Sequence, residues 1–199
     1  LRALAAHKLS VLGLKPVASG AQMLNGQCCN EDALAIHSAM SPELCERYSL
    51  SQINPFCFRA AVAPHIAAEE ESVALTVNDI SSRLAWAEKS AHDLVLVEGA
   101  GGWLVPLNAQ ESFADFAQQF CHGVIFVVGM RLGCINHALL SQQSIKASGL
   151  PLLGWVANSP SGTMDRYQEN LAYLKTHMNV PLIGELQYQQ TDFTLTNRT

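Results

Sequence analysis

The sequence predicts an α/β protein whose mostly parallel sheet is flanked by helices on both faces. Short, continuous apolar runs alternate with segments whose apolar residues recur at helical spacing, which is typical of strands buried between helices. The composition agrees, since 49% of the residues are hydrophobic and only 15% are charged. At 199 residues, and without a repeat or linker, the chain is predicted to be a single domain, residues 1–199.

The strands are predicted from apolar runs that are too short for helices. These runs cover residues 10–14, 93–97, 124–128, 152–157 and 180–183. We expect the first three to be buried central strands, because no polar residue alternates with their apolar residues. Pro151 precedes the fourth run and Pro181 lies within the fifth, which indicates a strand start or an edge.

The helices are predicted from spacing and from end signals. Thr76 is an N-cap candidate that stands three residues before Asp79, and the helical face that follows it consists of Val77, Ile80, Leu84 and Ala87. Residues 136–148 form a second predicted helix, which Gly149 ends. A third is expected to begin near Asp165, and residues 1–8 have the pattern of a helix end that leads into the first strand.

Charge and cysteine content exclude several function classes. The net charge of −5, with no Lys/Arg cluster, disfavours binding to nucleic acid or to an anionic membrane. The six cysteines form no C-x-x-C pair and the histidines have no metal-ligand spacing, which favours reduced thiols in the cytoplasm over a disulfide framework or a zinc site. No apolar run approaches the ~20 residues of a membrane span.

Polar residues follow the predicted strands at the edge where open α/β sheets bind ligands. Lys15 follows the first strand, where its ammonium could neutralise a phosphoryl or carboxylate group; the alternative is a surface lysine with a buried stem. Glu98 follows the second strand and precedes a glycine run. Nucleotide-hydrolysing α/β proteins place a carboxylate in this way near the Mg²⁺ ion that binds the phosphates. Alternatively, Glu98 accepts backbone hydrogen bonds and the glycines only form a tight turn.

Three further positions are weaker candidates. Asp32 lies at a predicted helix start, where the helix dipole alone would favour a carboxylate. The turn that begins at Gly133 precedes a helix and could bind an anion through free N–H groups, although most helix N-termini bind only water. Asn158 follows the fourth strand and could bind the edge of a base, or could simply be a turn residue.

Taken together, three loops in order carry a specific family resemblance. Residues 13–20 (GLKPVASG), 97–103 (VEGAGGW) and 132–138 (LGCINHA), followed by 154–158 (GWVAN), strongly resemble the dethiobiotin synthetases of biotin biosynthesis. Shorter matches lie between them, and the resemblance spans about residues 13–185. It implies a P-loop NTPase-like, Rossmann-like three-layer fold and a homodimer with sites at the subunit interface. It also implies an enzyme that uses ATP, Mg²⁺ and CO₂ to close the ureido ring of dethiobiotin on 7,8-diaminopelargonate.

The same resemblance implies a role for each matching residue. Lys15 matches the catalytic lysine and Ser19 a substrate contact, whereas Asp32 and Glu98 match the Mg²⁺ ligands. The segment that holds the substrate carboxylate in the partner subunit's site corresponds to Gly133, Cys134, Ile135 and Asn136. The implied ATP contacts are Asp32, Glu98, Gly99, Ala100, Gly101 and Asn158, with Gln187, Tyr188 and Gln189 at the adenine pocket.

One motif of the family is missing from this sequence. The resemblance implies a first strand and a phosphate loop, G-x-x-x-x-G-K-T, before Lys15, and these 199 residues contain no such loop. Without this loop we expect weak ATP binding, and without the first strand we expect exposed strand edges. Because the chain begins with Leu1 rather than Met, we expect a truncated start. The alternative function is a non-catalytic relative that serves as a substrate-binding or partner subunit; a relative of the P-loop partition ATPases explains the loops less well.

Overall fold

The structure is a computed structural model that describes residues 1–162, 164–191 and 195. The chain divides into two compact units, Leu1–Cys121 and His122–Thr199. Both units combine helices with parallel strand pairs, so the predicted α/β class and mostly parallel pairing are confirmed. The prediction of a single domain stays a prediction.

The first unit contains three small sheets and the helices around them. Its strands are β1 (Val11–Leu14), β2 (Val17–Ala18), β3 (Gln22–Leu24), β4 (Gln27–Cys29), β5 (Phe56–Cys57) and β6 (Leu94–Val97). Its helices are α1 (Arg2–Ala5), α2 (Glu31–Ser38), α3 (Pro42–Arg47), α4 (Leu50–Ile53), α5 (Pro64–Glu70), α6 (Val77–Glu88) and α7 (Phe113–Phe120). Strand β1 pairs in parallel with β6, and β2 pairs in parallel with β5, whereas β3 and β4 form an antiparallel hairpin.

A glycine in β1 sets the approach of α2 to the sheet. A Cβ atom at Gly13 would lie 2.5 Å from Cγ2 of Ile36 on α2, so a larger residue would push the helix away. All four residues of β1 are buried, and Leu12 and Leu14 belong to the main core of this unit. Close packing of α2 on β1 brings the first turn of α2 to the carboxyl end of the strand.

The second unit has a three-stranded parallel sheet in the order β7–β8–β9. Its elements are β7 (Val124–Gly129), α8 (Cys134–Ala147), β8 (Leu152–Asn158), α9 (Tyr167–His177) and β9 (Leu182–Leu186). Helices α8 and α9 pack together, and their core with the sheet includes Ala138, Trp155, Ala157, Leu171 and Leu174. In the part of the chain that the structure describes, no helix is long and apolar enough to cross a membrane.

The predicted elements are present, with shifted ends and two errors, which concern the start of the fifth strand and the burial of the central strands. Strands β1, β6, β7 and β8 lie within one or two residues of their predicted bounds, and Thr76 caps α6 as predicted. The fifth strand was predicted at 180–183 but begins at Leu182, because Pro181 has no N–H to donate to regular pairing. Helix α8 begins two residues early, since Gly133 adopts φ 92° and caps it.

The second error concerns the central strands, which were all predicted to be buried. Burial holds for β1 and is wrong for β6 and β7: β6 is half-buried throughout, and Ile125 and Val127 of β7 are 38% and 56% exposed. Within the described residues, β6 pairs only with β1 and β7 only with β8. Exposed and less exposed residues alternate along most of β7, so one face of this strand is open within its own unit.

Candidate functional site

Lys15 lies at the carboxyl end of β1 and brings the predicted acidic residues together. Its Nζ atom lies 2.7 Å from Oε1 of Glu98 and 3.0 Å from Oδ2 of Asp32. It also donates a hydrogen bond of 3.0 Å to the carbonyl oxygen of Gly99. The Lys15 ammonium group thus contacts three residues, of which Glu98 and Gly99 are 83 and 84 positions away in the sequence.

Local structure explains why these side chains meet. The parallel register places Val97 opposite Leu14, so that Glu98 follows β6 beside Lys15, and the Glu98 N–H donates to the Leu14 carbonyl at 2.8 Å. Asp32 stands in the first turn of α2, where the side chain of Asn30 caps the helix. Strand pairing and a helix cap together bring the two carboxylates to the end of β1.

The charges of the site differ in their exposure. The Lys15 side chain is only 5% exposed, whereas those of Asp32 and Glu98 are 59% and 55% exposed. The ammonium therefore lies beneath two solvent-accessible carboxylates that compensate its charge. The interpretation of Lys15 as a surface lysine with a buried stem is wrong, because its charged end is buried as well.

The structure also bears on the alternatives for the acidic residues. Among the described residues no backbone N–H donates to the Glu98 carboxylate, so Glu98 does not serve as a backbone cap. Asp32 does lie at a helix N-terminus, where the helix dipole favours a carboxylate. It also forms an ion pair with Lys15. Both acids are therefore free to bind a ligand in exchange for their ion pairs.

The donor set suits a Mg²⁺ ion only when phosphate oxygens complete it. The described part of the chain contains no group of three or more His, Cys, Asp or Glu side chains that could hold a metal ion. Mg²⁺ is commonly held by one or two carboxylates together with substrate phosphates and water. Asp32 and Glu98, which converge on one cationic group, have the right chemistry for that incomplete set.

The glycine run after Glu98 has one position that requires glycine. Gly101 adopts φ 111°, and a Cβ atom there would lie 2.8 Å from Cγ2 of Val105. Gly99 contributes its carbonyl to Lys15, and a Cβ atom at Gly102 would meet nothing within 4 Å. The glycine run therefore forms a tight turn, which was the alternative given for these glycines. It also places the Gly99 carbonyl at the site.

Ser19 lies at the other end of the loop that Lys15 begins. Its Oγ atom is buried and has no hydrogen-bond partner within the described ranges. A buried hydroxyl without a partner costs about 1–3 kcal/mol, so such groups are rare in proteins unless a ligand satisfies them. The Ser81 and Ser159 hydroxyls share this property within the described ranges, so the substrate contact of Ser19 stays a prediction.

Two asparagines next to these residues were not predicted as part of the site. Asn54 donates from Nδ2 to the Lys15 carbonyl at 2.7 Å, and Asn30 donates from Nδ2 to the Ser19 carbonyl at 3.0 Å. The sequence offers weak signals for both, namely an N-cap position before a helix and an Asn-Pro turn. Neither signal shows which carbonyl the amide reaches.

The turn at Gly133 lies in the second unit and begins α8. Cys134 is buried, Ile135 is half-buried and Asn136 is exposed. The Cys134 N–H donates to the Arg131 carbonyl at 2.9 Å, whereas the N–H groups of Ile135 and Asn136 have no intrahelical acceptor because they lie in the first turn. The predicted anion site therefore has two N–H groups to offer rather than a full turn.

The predicted adenine contacts lie at one end of the three-stranded sheet. Asn158 is the last residue of β8 and pairs with Leu186, the last residue of β9, so Gln187, Tyr188 and Gln189 follow at the same edge. The Asn158 side chain makes no hydrogen bond within the described residues. Tyr188 is 51% exposed, and the Gln187 N–H donates to Oε1 of Gln190 at 2.9 Å.

Comparison with known proteins gives a consistent family. A family described as "AAA domain" matches residues 2–192. The "ATP-dependent dethiobiotin synthetase BioD" of Alteromonas mediterranea is 44% identical over 195 residues, which cover 95% of this chain and 84% of that protein. The protein of the same name from Yersinia pestis bv. Antiqua is 46% identical over 188 residues, 94% of this chain and 76% of that protein. The protein of the same name from Pseudoalteromonas translucida is 39% identical over 190 residues, which cover 96% of this chain and 82% of that protein.

The parallel α/β pairing, the site at the strand ends and the AAA-domain match define a P-loop NTPase-like enzyme. The identity of 39–46% to dethiobiotin synthetases, over 94–96% of the chain, then identifies the family within this class. The chain belongs to the family of ATP-dependent dethiobiotin synthetases. The predicted family, fold class and enzymatic nature are confirmed, and the alternative of a non-catalytic relative is not favoured.

Proposed function

We propose that this chain catalyses the ATP- and Mg²⁺-dependent carboxylation of 7,8-diaminopelargonate with CO₂ and the ring closure that gives dethiobiotin. The observation that carries the proposal is the convergence of Asp32, Glu98 and the Gly99 carbonyl on the buried Lys15 ammonium. A buried cation whose partners are exposed carboxylates can exchange those partners for the anionic groups of bound substrates.

Lys15 acts by stabilising negative charge. In the proposed reaction a substrate amine attacks CO₂ to give a carbamate, and the Lys15 ammonium donates hydrogen bonds to the carbamate oxygens. After phosphorylation of the carbamate by ATP, the second amine attacks its carbon, phosphate leaves and the ureido ring closes. Lys15 faces negative charge on the carbamate and on the departing phosphate, so positioning and charge neutralisation supply most of the catalysis.

Asp32 and Glu98 are the residues that would hold Mg²⁺. When bound, the ion neutralises the charge of the ATP phosphates and orients them. The two carboxylates now pair with Lys15, so metal binding and anion binding are coupled through one set of ion pairs. Gly99, Ala100 and Gly101 contact ATP in this proposal.

The remaining contacts hold the two ends of the substrates. The unpartnered Ser19 hydroxyl binds diaminopelargonate, and the first turn of α8 (Gly133, Cys134, Ile135 and Asn136) binds the substrate carboxylate in the site of a partner subunit of a homodimer. Asn158, with Gln187, Tyr188 and Gln189, contacts adenine. The free thiol state of all six cysteines supports a cytoplasmic location.

Growth without biotin tests the proposal in a bacterial strain that lacks its own dethiobiotin synthetase. Expression of this protein from its complete reading frame should restore growth, as added dethiobiotin does. A matched strain that expresses the Lys15→Met variant should grow only when dethiobiotin is supplied. Failure of the wild-type gene to restore growth, despite a soluble product, would contradict the proposal.

A further inference from the structure

Two buried asparagines hold the loop of residues 15–19 at both of its ends. Asn54 is 4% exposed and Asn30 is 7% exposed, and both use their side-chain amides on backbone carbonyls of this loop. Buried amide side chains are costly unless fully hydrogen-bonded, and both of these are hydrogen-bonded to the segment that carries the reaction.

Asn54 fixes the backbone at Lys15. Its Nδ2 atom donates to the Lys15 carbonyl at 2.7 Å and to the Phe56 carbonyl at 3.2 Å. The Lys15 N–H donates to the carbonyl of Ile53, the residue before Asn54, at 2.9 Å. Both backbone polar groups of Lys15 are thus held by two consecutive residues, which sets the direction in which the lysine side chain leaves the strand.

Asn30 joins the other end of the loop to the helix that carries Asp32. Its Oδ1 atom accepts hydrogen bonds from the N–H groups of Asp32 at 3.0 Å and Ala33 at 3.3 Å. Its Nδ2 atom donates to the Ser19 carbonyl at 3.0 Å. One side chain therefore sets the position of Ser19 relative to the first turn of α2.

We propose that Asn30 and Asn54 are positioning residues of the reaction, Asn54 acting through Lys15 and Asn30 acting through Ser19 and Asp32. This inference rests on the proposed function and deepens it. Asparagine is required at position 30 because its amide both accepts from the helix and donates to the loop, and at position 54 because its Nδ2 group donates to two carbonyls at once. Serine retains a helix cap at position 30 but is too short to reach Ser19, and aspartate retains the shape but has no donor.

The two residues have different kinetic signatures. Asn54 orients the charge that is needed in the transition state, so its loss lowers kcat more than it raises KM for diaminopelargonate. Asn30 sets a substrate contact and a proposed metal ligand, so its loss raises KM for diaminopelargonate and the Mg²⁺ concentration needed for half-maximal rate. A loss of fold alone would lower the folded fraction and leave the KM values unchanged, so kcat is expressed per folded molecule, with the folded fraction measured by circular dichroism.

Asn108 provides a matched control on another loop. Its Oδ1 atom accepts hydrogen bonds from the N–H groups of Gln110 and Glu111, which follow it by two and three residues. Asn30 accepts from residues at the same two spacings. Its Nδ2 atom donates to the distant Leu75 carbonyl at 2.9 Å. The hydrogen bonds of the Asn108 side chain within the described residues involve no residue of the candidate site, so Asn108→Ser removes the same kind of bridge without touching the reaction.

The experiment compares steady-state kinetics and Tm for Asn30→Ser, Asn54→Ser and Asn108→Ser in the complete protein. We expect Asn30→Ser to raise KM for diaminopelargonate about tenfold, and Asn54→Ser to lower kcat about tenfold or more, with Asn108→Ser close to wild type in both. The isosteric variants Asn30→Asp and Asn54→Asp, which retain shape, serve where a serine variant does not fold, and should show the same split.

Two results would overturn the inference. One is unchanged kcat and KM in folded Asn30 and Asn54 variants; the other is a loss that tracks Tm equally in all three positions, Asn108 included. Wild-type protein without dethiobiotin synthetase activity would instead refute the proposed function, so the two failures are distinguishable.

Discussion

Lys15 is a buried charge whose partners are open to solvent, and this asymmetry decides what its removal does. A surface ion pair contributes about 0–1 kcal/mol, whereas removal of one partner of a buried pair is costly because it leaves the other charge buried and unpaired. The Asp32 and Glu98 side chains, more than half exposed, can be hydrated without Lys15. Lys15 therefore contributes much more to chemistry than to folding.

Replacement of Lys15 by methionine tests this separation. We expect Lys15→Met to lower kcat by about a hundredfold or more, because the proposed charge stabilisation is lost, and to change the free energy of unfolding by less than about 1 kcal/mol. Steady-state kinetics and urea unfolding measure the two effects. Lys175→Met, which removes an exposed lysine 3.4 Å from Glu185, is the control and should alter neither. Equal losses of activity and stability in Lys15→Met would mean a structural lysine.

The sequence was sufficient to find Lys15, Asp32 and Glu98 but not the residues that hold them. Position at a strand end or a helix start is a local property, and the family resemblance added the roles. The amide contacts of Asn30 and Asn54 depend on chain segments 11 and 39 residues away, respectively, which no local pattern reveals. The unpartnered Ser19 hydroxyl was likewise visible only in three dimensions.

At the level of elements, caps and glycines determine where helices begin and how closely they pack. The hairpin of β3 and β4 was not predicted, because β3 is exposed and lacks apolar alternation. Its turn nevertheless has a sequence signal, since Asn25 and Gly26 adopt φ 51° and 80°, as an Asn-Gly hairpin turn requires. Turn chemistry would have found the hairpin where hydrophobic periodicity could not.

Gly13 tests the packing of α2 against β1. Gly13→Ala should lower the free energy of unfolding by about 1–3 kcal/mol, because the new Cβ atom would overlap Ile36, which belongs to the core. Gly129→Ala is the matched control in another strand, since a Cβ atom there meets nothing within 4 Å. Chemical denaturation of both variants measures the difference, and equal stability of the two would contradict this packing.

The start of α7 gives a prediction with a pH dependence. The Asp115 carboxylate accepts hydrogen bonds of 2.7 Å from both the hydroxyl and the N–H of Ser112, and these bonds lower the pKa of Asp115. A lowered pKa means that the stabilisation is present above the pKa of the unfolded state, about 4, and is lost as pH falls through the lower folded pKa.

Removal of the Ser112 hydroxyl should therefore cost most at neutral pH. We expect Ser112→Ala to lower the free energy of unfolding by about 1 kcal/mol at pH 7, with a smaller difference from wild type below about pH 4. Urea unfolding at several pH values measures this. A difference that stays constant across that range would show that the Asp115 carboxylate is not involved.

At the level of the whole molecule, the candidate residues are divided between the two units of the chain. Lys15, Ser19, Asp32 and Glu98 belong to the first unit, whereas the start of α8 and Asn158 belong to the second. The proposed homodimer assigns the start of α8 to the partner subunit's site. A shared site of this kind can be tested by mixing two defective chains.

Mixed dimers of Lys15→Met and Asn136→Glu should recover activity. Each homodimer is expected to be nearly inactive, because one lacks the proposed catalytic charge and the other repels the substrate carboxylate. In a mixed dimer one site would carry both defects and the other neither, so random exchange restores about a quarter of wild-type activity. Activity no greater than the sum of the two parents, after exchange has been verified by mass, would refute a shared site.

The most direct test of the central claim is transfer of label from ¹⁴C-bicarbonate into product. Complete protein, with diaminopelargonate, ATP and Mg²⁺, should give acid-stable label that co-migrates with dethiobiotin, and the label should depend on both ATP and diaminopelargonate. Lys15→Met should give label at background level while it remains folded. Absence of label with wild-type protein, or full labelling by Lys15→Met, would contradict the account.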